Sequence, residues 1–272
     1  MTTGYQNLHT HTTYCDGSLT PEAMVKAAIK KGCKSIGFSE HSYVDFDTYY
    51  SMSLDMTGEY ISEVNELREK YKRSIEIFLG IEHDYLTESP PDGLDFVIGT
   101  AHYVEMDGEF VSVDAGAKHQ NTMVGKYFGG DYYTMAEKYF EVMANIINKT
   151  NADIVGHFDL VAKYNFGGSL FDETHPRYVS AALSAMDEIL KDCKLFEVNT
   201  GAMFRFNKPE PYPSVFLLKE LRKRGGEVIL SSDSHDAESL CFKFHEMQEL
   251  LKSCGFEHIK RLTKSGFVDV KL

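Results

Sequence analysis

A parallel α/β barrel is the fold that this sequence predicts, and three observations point to it. Short, nearly continuous apolar runs alternate with helical stretches; seven such units fit into 272 residues; and most of the runs hand over to a histidine, aspartate or glutamate. Uninterrupted apolar strands separated by helices are the pattern of a parallel sheet buried on both faces. Seven units in a chain of this length suit closure into a barrel, whose functional groups sit at the C-terminal ends of the strands.

The first strand runs from about Tyr5 to His9 and leads into a loop through Cys15-Asp16-Gly17. Thr20-Pro21-Glu22 opens a helix, with Thr20 as N-cap and Pro21 at the first helical position. Met24, Ala27, Ala28 and Ile29 form its apolar side, and Gly32 stops it. The second strand, Ser35 to Ser39, ends at Glu40-His41. The stretch 44–56, rich in Asp, Ser and Tyr, reads as a loop over the strand ends, and a helix follows from about Thr57 to Tyr71. Ile75 to Ile81 is a strand ending at Glu82-His83-Asp84, and Phe96 to Ala101 is another ending at His102. Asp107-Gly108 between two apolar pairs signals a hairpin. Residues 113–130, glycine-rich and polar, read as loop, and Asp131 to Asn148 as one long helix. Asp153 to Gly156 ends at His157; Pro176 to Lys191 is helix; Leu195 to Asn199 is strand. Pro213 to Arg224 is a helix stopped by Gly225-Gly226, and Val228 to Ser231 is a strand ending at Asp233-Ser234-His235. A helix from about Ser239 to Cys254 and two short strands, 259–262 and 267–270, complete the chain. No linker or repeat interrupts this order, so residues 1–272 are expected to form one domain.

The formal net charge of −13 repels nucleic-acid backbone and anionic membrane, and neither is an expected partner. Five cysteines, an odd number without any Cys-x-x-Cys, suggest reduced thiols in the cytoplasm. The polar N-terminus carries no signal-peptide pattern, and no apolar run is long enough to span a bilayer. Oligomeric state is not set by anything in the pattern.

The strand ends carry the chemistry. His9 and His11, two apart on an extended segment, project to the same side. Adding Asp16, His41, Glu82, His102, His157, Asp233 and His235 gives nine metal-competent side chains around one predicted rim. Each alone is an ordinary cap or core residue; nine converging by accident is improbable. Imidazole mixed with carboxylate suits zinc, iron or manganese rather than magnesium or calcium. Such a set holds two to three divalent transition metals, with one carboxylate as a bridge. Clustered metals acidify a shared water and clamp a phosphoryl group, so the expected substrate is a small phosphate ester.

The motifs His9-Thr10-His11, Ser39-Glu40-His41, Gly80-Ile81-Glu82, Ala101-His102, Gly156-His157-Phe158-Asp159 and Ser232-Asp233-Ser234-His235 resemble, in order, those of the polymerase-and-histidinol-phosphatase (PHP) superfamily. Glu197-Val198-Asn199-Thr200 and the segment from Asp159 to Tyr164 are similar to its histidinol-phosphatase branch. The resemblance implies a distorted (β/α)7 barrel, TIM-like, with a trinuclear centre. One metal would take His9, His11, Glu82 and Asp233; a second Glu82, His102 and His157; a third Asp16, His41 and His235. It further implies hydrolysis of L-histidinol phosphate to L-histidinol and phosphate in histidine biosynthesis. A hydroxide between metals would attack, with Glu82, Asp233 and His235 as the catalytic groups. Lys163 and Arg205 are the candidate phosphate contacts. Relatives often carry an arginine where this chain has Gly201. His83, Asp84, His119 and Tyr14, on active-face loops, are candidates for reading the rest of the substrate or for supporting the groups that do. Other readings of the residues are a phosphoesterase for a nucleotide or sugar phosphate, a proofreading nuclease, and a non-catalytic metal-binding barrel.

Overall fold

The computed structural model describes residues 4–87 and 89–272. β1 (Gln6–Asn7) leads through α1 (Pro21–Lys30) to β2 (Ser35–Phe38), and α2 (Leu54–Tyr71) returns the chain to β3 (Glu76–Asp84) and β4 (Phe96–Thr100). The hairpin β5 (Tyr103–Met106) and β6 (Glu109–Ser112) follows, then α3 (Ala117–Tyr127), α4 (Tyr132–Ala144), α5 (Ile146–Thr150) and β7 (Ile154–Val155). α6 (Pro176–Ile189) precedes β8 (Leu195–Asn199); α7 (Gly201–Phe206) and α8 (Val215–Lys223) precede β9 (Glu227–Ser231). α9 (Phe244–Ser253) and the hairpin β10 (His258–Thr263) with β11 (Gly266–Lys271) come last.

Seven strands form one parallel sheet in the order β1-β2-β3-β4-β7-β8-β9. The sheet curls into the expected (β/α)7 barrel, and its two ends meet above β1 and β9. There the His11 N–H donates to the Ser234 carbonyl at 2.8 Å and the Ser234 N–H to the His9 carbonyl at 3.0 Å. Lower down, Asn7 bridges the seam with its side chain, its Oδ1 accepting from the Ser232 N–H at 2.9 Å. The bore beneath the upper rim is filled by Phe96. Gly37 and Gly80 leave it room, since a Cβ at Gly80 would lie 2.3 Å from the Phe96 ring and one at Gly37 2.9 Å. This apolar plug supports the polar layer directly above it on β3.

The helices cover the barrel through the faces their sequences provide. α1 is capped by Thr20, whose Oγ1 accepts from the Ala23 N–H at 3.3 Å, and buries Met24, Val25 and Ala28. α4 buries Met135, Ala136, Tyr139, Phe140, Val142 and Met143, so its methionine and tyrosine stripe is core. Five local expectations change. Residues 113–130 are not all loop: α3 forms there, tied down by Gln120, whose Nε2 donates to the carbonyls of Val113 and Val161 at 3.0 Å. Gly125 and a sparse apolar stripe hide this helix. The helix expected over 131–148 breaks at Asn145 into α4 and α5. The last helix begins at Phe244 rather than 239, because Cys241 and Lys243 take left-handed backbone with φ of 57° and 53°. α2 begins three residues earlier, at Leu54. α7 arises between Asn199 and the next helix, where only loop is expected. Among the described residues no helix is long and apolar enough to cross a membrane.

Candidate metal centre

All nine strand-end residues meet at the C-terminal rim of the barrel. Glu82 stands at their middle. It projects from the upper part of β3 above the Phe96 plug and is 1% exposed. Its Oε1 lies 2.9 Å from His157 Nε2 and 3.6 Å from His102 Nε2. Its Oε2 lies 2.8 Å from His41 Nδ1, 3.2 Å from His9 Nε2 and 3.4 Å from His11 Nε2. Asp233 closes the group from the β9 end, with Oδ1 3.7 Å from His9 Nε2 and 3.4 Å from His11 Nε2. On the outer side Asp16 Oδ1 is 3.2 Å from His235 Nε2 and 3.7 Å from His41 Nε2.

Among the described residues four subsets have ligand atoms close enough for one ion: His9, His11 and Asp233; His41, Glu82 and His102; His11, Asp16, His41 and His235; and His11 with Cys15 and Glu40 behind it. They fit a cation on two grounds. Four donors at about 2.1 Å around a tetrahedral ion stand about 3.4 Å from one another, which is the spacing between His11 Nε2 and both carboxylates. In addition, His9 Nε2 and His11 Nε2 are buried without a hydrogen-bond partner, although buried polar groups are normally satisfied. Divalent metal bound by these residues answers both. Each subset contains imidazole as well as carboxylate, the mixture that favours transition metals.

The imidazoles are oriented from behind. His9 Nδ1 is 2.8 Å from Glu197 Oε2, and His102 Nδ1 is 3.1 Å from Asp84 Oδ2. Each contact keeps the proton on Nδ1 and turns the Nε2 lone pair toward the centre. Glu197 also accepts from the His157 N–H at 2.6 Å, from Asn199 Nδ2 at 2.9 Å and from Ser231 Oγ at 2.5 Å. Behind His11, the Cys15 thiol donates to Glu40 Oε2 at 2.7 Å and lies 3.4 Å from His11 Nδ1. Burial and the Glu40 charge push this thiol well above its usual pKa, which favours the protonated, hydrogen-bonded form. Sequence reasoning placed Asp84 on the active face without naming His102 as its partner, and it did not assign Glu197 a role. Asp84 is two residues from Glu82 and shares its face of β3; Glu197 is a carboxylate inside an apolar strand, a signal in itself.

The fields in this cluster are strong. Burial opposes ionisation of Glu82, but His41 and His9 outweigh it and hold the carboxyl well below its usual range. At Asp233 burial is likewise outweighed, by Arg205 and His9. Burial with neighbouring His41 and His235 lowers His11 to about 3, leaving a neutral ring with a free lone pair. Burial disfavours the charged form of His102, yet the Asp84 hydrogen bond and Glu82 raise it to about 9.

Above the cluster opens a cavity of about 500 Å³, lined in part by Asp16, His41, Glu82, His102, His157, Asp233 and His235. Lys163 and Arg205 reach it from the loops after β7 and β8. Lys163 Nζ is paired with Asp114 Oδ2 at 2.9 Å. Arg205 lies on α7 and donates through Nη2 to Asp233 Oδ2 at 2.7 Å, while Nη1 lies 2.6 Å from His235 Nδ1. Gly201 leaves no room for a side chain, since a Cβ there would stand 2.9 Å from Asp233 Oδ2. The guanidinium therefore arrives one helical turn later.

The remaining expected contacts fall elsewhere. His83 points to the opposite side of β3 from Glu82, is 1% exposed and lies 3.3 Å from Thr87 Oγ1, away from the cavity wall. His119 sits half-buried on α3 and does not line the cavity. Tyr14 turns to α2, donating to Glu63 Oε2 at 2.8 Å.

Comparison with known proteins agrees with this arrangement. The chain is 27% identical over 266 residues to the "Probable histidinol-phosphatase" of Deinococcus radiodurans, covering 93% of this chain and 95% of that protein. It is 26% identical to the histidinol-phosphatase of Lactococcus lactis, covering 93% of this chain and 91% of the relative. A crystal structure of the Lactococcus lactis histidinol phosphate phosphatase, complexed with zinc, L-histidinol and phosphate, superposes with a TM-score of 0.75 at 22% identity, covering 97% of this chain and 98% of that one. The model of the PHP domain family matches residues 7–201, which include seven of the nine rim residues, and the chain belongs to that family.

Proposed function

We infer that this protein is a metal-dependent phosphatase that hydrolyses L-histidinol phosphate to L-histidinol and phosphate. The observation that carries the reading is the convergence of nine imidazole and carboxylate side chains beneath a cavity that also presents two cationic side chains. Relatives at 22–27% identity over about nine-tenths of the chain are described as histidinol-phosphatases, which supports the substrate.

We propose that the centre holds two to three divalent transition metals: zinc, iron or manganese. His9, His11, Glu82 and Asp233 would hold one, with Glu82 shared to a second on His102 and His157, and Asp16, His41 and His235 holding a third. Bound there, the metals would supply Lewis acidity to the phosphoryl oxygens and a water acidified toward neutrality. The chain's own groups do the rest. Glu82 keeps both carboxylate oxygens aimed at the cluster, because its five imidazole neighbours fix it. Lys163 and Arg205 present positive charge to the phosphate from the side of the cavity formed by the β7 and β8 loops, the geometry that stabilises charge developing on a transferred phosphoryl group. Arg205 also holds Asp233 Oδ2, which leaves Oδ1 facing the imidazoles. Asp233 and His235 stand at the cavity wall, and the proton for the leaving alkoxide would come from this side, through one of them or through a water held there.

The test is phosphate release from a panel of L-histidinol phosphate, nucleoside monophosphates, sugar phosphates and short DNA, with elemental analysis of the same preparation. The expected result is a clear preference for L-histidinol phosphate and two to three transition-metal ions per chain. Less than one metal per chain, or a preference for DNA, overturns the reading.

A further inference from the structure

One stretch of the cavity wall is built differently: Asp47, Tyr49 and Tyr50 come from the loop after β2, and Tyr103 from β5. The other acids of the cavity are already matched: Asp114 by Lys163, Asp233 by Arg205, and Glu82 and Asp16 by imidazoles. Asp47 is different. Its Oδ2 accepts from the Tyr103 hydroxyl at 2.6 Å, and Oδ1 accepts from the Tyr49 N–H at 3.4 Å. Both partners are neutral, and among the described residues no Lys, Arg or His forms an ion pair with Asp47.

The carboxylate is also held in place. Phe46 packs edge-on to the Tyr103 ring at 5.0 Å between centroids and stacks on Phe110 of β6 at 4.1 Å. Tyr50 stands between this aromatic group and the centre, 6.4 Å from the Tyr103 ring and 4.8 Å from that of His41. An unmatched carboxylate among tyrosine rings is a receptor for an alkylammonium: the charge attracts it, and the ring faces accept its N–H and C–H surface. The cavity thus presents two cationic side chains, each already paired, and one unmatched anion. A substrate with a phosphate at one end and an amine at the other satisfies both.

We propose that Asp47, positioned by the Tyr103 hydroxyl, binds the ammonium group of the substrate and selects amino-alcohol phosphates over phosphate esters that lack a cationic group. This deepens the functional reading above and rests on it for the location of the phosphate. Asp47 takes no part in bond breaking; its contribution is to specificity.

The experiment compares kcat/KM within two matched pairs. One pair is L-histidinol phosphate and its analogue lacking the amino group; the other is O-phosphoethanolamine and ethyl phosphate. The wild-type protein is expected to favour the amine-bearing member by about tenfold or more. Asp47→Asn brings that ratio close to one, chiefly by raising KM for the amine. Asp47→Glu retains part of the preference. Tyr103→Phe, which keeps the charge and removes only its tether, gives an intermediate ratio and serves if Asp47→Asn does not fold. An Asp47→Asn protein with the wild-type ratio, or a wild-type protein without preference in either pair, overturns the proposal. If wild type ignores L-histidinol phosphate but prefers O-phosphoethanolamine, and Asp47→Asn loses that preference, the substrate assignment falls while Asp47 keeps its role.

Discussion

Glu197→Gln changes one oxygen to nitrogen and tests the logic of the whole centre. Glu197 makes four contacts: Oε2 with His9 Nδ1 and Ser231 Oγ, and Oε1 with the His157 N–H and Asn199 Nδ2. The carboxylate accepts in every one of them, the contact with His9 Nδ1–H included. A glutamine amide has a single accepting oxygen. Placed toward His9, it leaves the amide N–H group facing two other donors, the His157 N–H and Asn199. Placed the other way, the amide donates to His9 Nδ1 and forces the ring proton onto Nε2, the atom that faces Glu82 and Asp233. Either way one ligand is compromised. Loss of one charge-assisted hydrogen bond costs about 1.5–3 kcal/mol, and removal of a carboxylate behind a ligating histidine typically weakens metal binding about 10–100-fold, or about 1.4–2.7 kcal/mol. The two routes agree. The assay is competition with a chromophoric chelator, read beside phosphate release as a function of free metal. The expected result is a curve displaced to 10–100-fold higher metal, with activity recovered at saturation. Metal affinity within twofold of wild type refutes the orienting role of Glu197.

Glu82→Ala is expected to lose bound metal and phosphate release together, because it removes the group that five imidazoles share; Lys163→Ala keeps its metal and loses about 10²-fold in kcat/KM, as one charge-assisted contact implies. Equal, mild losses in the two variants would contradict this. Returning divalent metal to chelator-treated protein at 100 times its dissociation constant contributes about 2.7 kcal/mol, a rise of about 5–10 °C in Tm for a chain of this size; an unchanged melting curve counts against a metal that joins β1 to β9. Asp159 supplies a pH prediction. Burial, reinforced by Glu173 and opposed by Lys208, pushes its carboxyl up to about 7. Its folded pKa is raised, so its contribution to stability is fully present below about pH 4, the unfolded value, and is lost as pH rises toward 7. Between pH 5 and pH 8 the wild type should lose on the order of 3 kcal/mol relative to Asp159→Asn in urea unfolding, and parallel pH profiles would contradict the burial argument.

Much of this centre was legible in the chain because two signals coincide in it. A parallel strand announces itself as an apolar run, and a polar group at its last position has nowhere to go but the rim. That is why His41, Glu82, His102 and His157 were found together with their place. The supports were harder to read. Asp84 closes β3 and Glu197 lies inside β8; period-two geometry identifies their face, and nothing local names the histidine each one holds. His83 shows the other side of the rule: adjacent to Glu82, it points away from the site by the same alternation. α3 escaped notice because its helical stripe is short and its fixing contacts, from Gln120 to Val113 and Val161, are tertiary. Asp47 and Tyr103 are 56 residues apart and meet only in the folded rim.

The seam between β1 and β9 has a consequence for how the protein comes into being. Donors on its two sides, His9 and His11 against Asp233 and His235, are separated by more than two hundred residues of chain. A growing polypeptide therefore carries half a site through nearly all of its synthesis. The Glu82, His102 and His157 donors are complete before the final strand is made, whereas any site that needs Asp233 or His235 waits for it, so there cation capture would act as a late lock on a finished ring rather than as a seed for its assembly.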